Sequence, residues 1–167
     1  MLPLGASGCG NPAPTPADAA ADLPGSDGGV IVDPTLELGT GQSSWESLPE
    51  GARVELIHGP QGGYHLFARF RERELGGDVR VTFRVVPVDG GEAINDPTDR
   101  IRVLEGRGLI RTAQGWESAS ALLVILVRVQ APSEVVGRSF VLEANLTHTG
   151  SGATATIRRT ITIIDET

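Results

Sequence analysis

Residues 78–85 read DVRVTFRV. Val79, Val81, Phe83 and Val85 occupy alternate positions, with Arg80, Thr82 and Arg84 between them. Successive side chains of a strand face opposite sides of a sheet, so the pattern predicts a strand half in a core and half in water. The same period of two recurs in YHLFARF (64–70), where Tyr64, Leu66, Ala68 and Phe70 oppose His65, Phe67 and Arg69. It recurs in SFVLEANLT (139–147), where Phe140, Leu142, Ala144 and Leu146 alternate with Val141, Glu143, Asn145 and Thr147. Alternation of this kind marks antiparallel strands with one face on the core.

Three further stretches extend the series. VELI (54–57) and LIRT (109–112) are short strand candidates, and the apolar run ALLVILV (121–127) predicts a fully buried strand. ATIRRTITII (155–164) is another strand, with Arg159 breaking the alternation and marking a candidate bulge. Gly- and Pro-bearing segments such as HGPQGG and HTGSGA separate these runs, and no long amphipathic helix is evident. About seven strands with regular turn signals predict an all-β fold, an antiparallel sandwich.

Composition bounds the function. The chain has 167 residues, enough for one domain with a tail, and 40% hydrophobic residues, enough for a core. Fourteen basic against 21 acidic residues give a net charge of −7, which argues against a nucleic-acid partner. No stretch approaches the ~18–20 apolar residues of a membrane-spanning helix. The single cysteine, Cys9, excludes an intramolecular disulfide.

Ala6-Ser7-Gly8-Cys9 resembles the lipobox of bacterial lipoproteins, in which small residues precede a cysteine that is lipidated after signal cleavage. Only MLPLGA precedes it, without Lys or Arg. Either the remainder of a signal lies upstream of Met1, or the resemblance is accidental. The Pro-, Ala-, Gly- and Asp-rich segment that follows, Asn11 to Gly29, reads as an extended tether and favours the first. The expected organisation is a residual signal and lipobox at 1–9, a flexible tether at 10–32 and a β-domain at 33–167. The resemblance implies a cell-envelope protein anchored in a membrane through lipid on Cys9, with Gly10 favouring the outer membrane.

The C-terminal GRSFVLEANLTHTGSGATATIRRTITI resembles the last hairpin of bacterial immunoglobulin-like domains. That resemblance implies an immunoglobulin-like β-sandwich, although the Cys-Trp-Cys core of antibody domains is absent. A second resemblance, to uncharacterised secreted bacterial proteins with an LGTG...GPQGGYH pattern, rests on residues 38–41 and 59–65 and implies no activity.

GPQGGYH itself admits two readings. As a candidate binding turn it offers Gln61, Gly62, Gly63, Tyr64 and His65. As a candidate metal site it would bring His58 and His65 together across the turn, since imidazole is a common ligand of transition metals. Two histidines fall short of the three or four ligands of a zinc site, and His148, the third histidine, is expected at the opposite pole. The structural reading is a tight turn, with Gly62-Gly63 supplying positive φ and Pro60 a preset one, feeding a strand in which His65 is half exposed.

DGGEAINDPTD (89–99) carries Asp89, Glu92, Asn95, Asp96 and Asp99, but not at calcium-loop spacing, and reads as a solvated loop. The arginines pose an open question. If 66–73 and 79–85 form one hairpin, Arg69, Arg71, Arg73, Arg80 and Arg84 share a face. If the chain crosses between sheets there, they divide onto two surfaces. No nucleophile elbow, HExxH, P-loop or dinucleotide fingerprint is in place. The expectation is therefore a non-catalytic binding or scaffolding module without a cofactor, with a protein or glycan partner in the envelope.

Overall fold

The structure, a computed structural model, describes residues 35–165. Residues 1–9 with Cys9, and the tether at 10–32, lie outside the described residues. The described residues are all-β apart from one short 3-10 turn, Pro132–Glu134. Its strands are β1 (Leu36–Thr40), β2 (Glu46–Ser47), β3 (Ala52–Glu55), β4 (Ile57–His58), β5 (Tyr64–Glu72) and β6 (Asp78–Pro87). They continue with β7 (Ile101–Glu105), β8 (Gly108–Thr112), β9 (Gly115–Ser118), β10 (Leu122–Ile125), β11 (Ser139–His148) and β12 (Thr154–Ile164).

The strands form one curled sheet in the order β2-β1-β5-β9-β8-β7-β6-β11-β12-β3, with β4 and β10 also paired to β5. Most pairings are antiparallel. The exceptions are β3 on β12 and the tight β7–β8 connection, which shares two parallel bridges. Ala52–Glu55 run beside Ile161–Ile164, Leu56 N donates to Ile164 O at 2.7 Å, and Ile57 and His58 then pair with His65 and Tyr64. One segment thus carries the sheet from its last strand round to β5.

The alternation seen in the sequence builds the core. Leu66, Phe70, Val79, Val81, Val85, Phe140, Leu142, Leu146, Ile161 and Ile163 are each at most 1% exposed. At about 25 cal/mol per Å² of apolar surface removed from water, these interior rows are the main favourable contribution to folding.

Several expectations are corrected. Twelve strands are present among the described residues, not about seven. β1, β2, β7 and β9 are two to five residues long and too brief or polar to show alternation, and residues 54–57 divide between β3 and β4 at Leu56. Arg159 marks no bulge, because β11 and β12 keep one register from Ser139↔Thr162 to Thr147↔Thr154. ALLVILV is not fully buried: Val124 and Leu126 are, whereas Leu123, Ile125 and Val127 are 47%, 53% and 53% exposed. Of the two arrangements left open for the arginines, the hairpin does not form: β9, β8 and β7 lie between β5 and β6 in the one sheet, so Arg69 and Arg71 stand apart from Arg80 and Arg84.

Candidate binding face on strands β5 and β10

β5 is paired along both edges. On one side β1 covers Arg69–Glu72 and β4 covers Tyr64 and His65. On the other, β9 meets Arg71 and Glu72, and β10 meets His65–Ala68. From Glu117, opposite Arg71, to Leu122, opposite Ala68, the chain takes five steps against three on β5. The two extra residues bulge outward. Arg69, 3% exposed, holds that bulge by donating from Nη2 to Ser118 O at 2.8 Å and Ala119 O at 3.0 Å. Arg71 donates to Glu117 from Nε and Nη2, at 3.2 and 2.7 Å, and its guanidinium lies 4.3 Å from the Trp45 ring centre.

The GPQGGYH segment is the β4–β5 hairpin turn. Gly59 N donates to Gly63 O at 2.7 Å, Gly62 N donates to Gly59 O at 3.0 Å, and Gly62 has φ +85°. Gln61, Gly62 and Gly63 are exposed at its tip, and Tyr64 is half-buried against the core. The two histidines do not converge. His58 stands opposite Tyr64, and Ile57 opposite His65, so the two imidazoles project from opposite faces of the hairpin. His58 reaches Asp165 at 3.1 Å and packs edge-on against Tyr64, with ring centres 5.3 Å apart. His65 packs edge-on against Phe67 at 5.5 Å, and burial pushes its pKa down. His148 lies at the far end of β11, where its Nδ1 accepts from Ser151 N at 3.0 Å. No group of three or more His, Cys, Asp or Glu side chains that could hold a metal occurs among the described residues.

The acidic loop is a structural element. Asn95 is buried, accepts from Val85 N at 2.8 Å and donates to Phe83 O at 2.9 Å, which pins the loop to β6. Asp96 accepts from Thr98 N at 2.8 Å and Thr98 Oγ1 at 2.6 Å, and these bonds hold its carboxyl below the usual range. Glu92 pairs with Arg128.

What the sequence reading missed is the free side of β10. Leu126 N donates to Tyr64 O at 2.8 Å. By the alternation of an antiparallel ladder, Leu122 and Val124 also face β5, and the N–H and C=O groups of Leu123 and Ile125 point away. Among the described residues no strand pairs with that edge. Leu123 and Ile125 stand beside Phe67 and His65 on the outer face, and Val127, in the turn that follows β10, is exposed as well. Beside the free edge lies a groove of about 210 Å³, whose opposite wall is Asn95, Asp96, Asp99 and Ile101 with Phe83. The signal was in ALLVILV: alternate burial in an unbroken apolar run leaves half of it facing water.

No family model matches the chain, and no curated protein sequence does. Among solved structures it is similar to the CooA pilin subunit from enterotoxigenic Escherichia coli, at 11% identity and a TM-score of 0.38, over 78% of this chain and 99% of that one. A similarity of that degree transfers no property.

Proposed function

We propose that this protein is a non-catalytic lipoprotein of the bacterial cell envelope, held at the outer membrane through Cys9, whose immunoglobulin-like β-domain binds or scaffolds an envelope partner. The observation that carries the binding role is the free edge of β10 beside three half-exposed apolar side chains, Leu123, Ile125 and Val127. Monomeric proteins seldom leave an unprotected apolar edge strand, because it templates pairing with another chain. The immunoglobulin-like reading is supported by the long β11–β12 hairpin and by interior rows contributed from several strands. The anchor is supported by Ala6-Ser7-Gly8-Cys9 and the Pro/Ala-rich segment after it.

Expressed in a Gram-negative host behind a lipoprotein signal, the full chain is expected in the detergent-soluble membrane fraction, with Cys9→Ala released to the soluble fraction. Release of the wild type without detergent would overturn the anchoring.

A further inference from the structure

We infer that the β10 groove takes one extended strand of a partner protein, in which apolar side chains alternate with basic ones. The inference rests on the binding role proposed above and names the class of partner.

Three observations define the occupant. The outward N–H and C=O groups of Leu123 and Ile125 form the half-ladder that an added strand completes, and such backbone bonds provide affinity while alternate side chains provide specificity. Leu123 and Ile125 project from the outer face two residues apart, with Val127 exposed in the turn beyond β10, so an incoming strand covers the pair only with apolar residues at the same period. The facing wall carries Asp96 and Asp99, so the intervening side chains of a complementary strand are cationic.

Two other occupants fit less well. The apolar triplet Val30-Ile31-Val32 is flanked by Asp27 and Asp33, which Asp96 and Asp99 repel, whether it comes from the same molecule or from another copy. A second copy's β10, Leu122–Ile125, carries no basic residue to meet Asp96 and Asp99.

The test is fluorescence anisotropy of the full chain with a labelled peptide, Gly-Lys-Val-Lys-Val-Lys-Val-Gly, against its counterpart with glutamate for lysine. The basic peptide is expected to bind at least about tenfold more tightly, and to weaken as salt screens Asp96 and Asp99. Ile125→Pro removes an outward N–H while sparing the bonds to β5, and is expected to abolish binding with the fold intact by circular dichroism. Should that variant not fold, Asp99→Lys carries the test, with preference reversing toward the acidic peptide. Equal binding of both peptides, or binding unchanged in both variants, would sink the proposal. Concentration-dependent dimerisation that Ile125→Pro removes would make a second copy the occupant and overturn it too. Each of these failures leaves the Cys9 fractionation result standing, so the two readings fail separately.

Discussion

Arg69 donates from Nη2 to the carbonyl oxygen of Ser118 at 2.8 Å, and the break between β9 and β10 is built around that bond. The guanidinium is buried, 3.6 Å from Glu117, and its Nε and Nη1 have no partner among the described residues. Removing one member of a buried ionic cluster strands the others, so Arg69→Ala is expected to cost about 3 kcal/mol in urea unfolding. Arg69→Met fills the space and removes the orphan donors as well, and is expected to cost less. Equal losses in the two variants would show that the charge, not the packing, holds the bulge.

Asn95 ties the groove wall to β6 through Val85 N and Phe83 O. Asn95→Ala leaves both groups buried and unpaired, at an expected cost of about 2 kcal/mol. Hydrogen exchange should then quicken at residues 93–100 before it quickens in β11. Uniform quickening would contradict this.

The Asp78 carboxyl is held down to about 2, first by its hydrogen bond from Arg102. A depressed acid stabilises the fold above its ordinary pKa and loses that contribution as pH falls through the folded value. Wild type is therefore expected to exceed Asp78→Asn in melting temperature at pH 6, with the gap closing from about pH 4 toward pH 2. The pair is exposed, so the gap should be small and should shrink in high salt. A gap independent of pH would argue against this origin.

Two glycines separate strain from crowding. Gly62 has φ +85° with open space around it, so Gly62→Ala is expected to cost about 1 kcal/mol. Gly115 has φ +122°, and a Cβ there would sit 2.2 Å from Glu72 O, where β9 closes on β5. Gly115→Ala combines strain with a backbone clash and is expected to cost at least ~3 kcal/mol. Thermal melts of the two variants make the comparison.

The long strands were legible because their alternation is uninterrupted: Val79, Val81, Phe83 and Val85 face inward as the sequence predicts, and so do Phe140, Leu142, Ala144 and Leu146. The short strands were not. β2 has both residues exposed and β4 is two residues long, so their pairing is imposed by β1 and β5 and leaves no periodic trace. The candidate site shows the same division. GPQGGYH was readable as a turn because glycine and proline act locally. The free edge depends on which strand stands beside β10, and pairing between distant segments is not written in local composition. Arg69 shows the limit most clearly, since its parity predicts exposure and the bulge at Ser118 and Ala119 buries it.

The segment Ala52–His58, which joins β12 to β5, also bears on the order of events in folding. Ala52 pairs with Ile161 across 109 positions of chain. Such a contact cannot form until nearly the whole domain has been synthesised, and pairings this remote in sequence slow the search for the native state. Closure between these two distant segments is therefore a late event, left open until β12 has emerged.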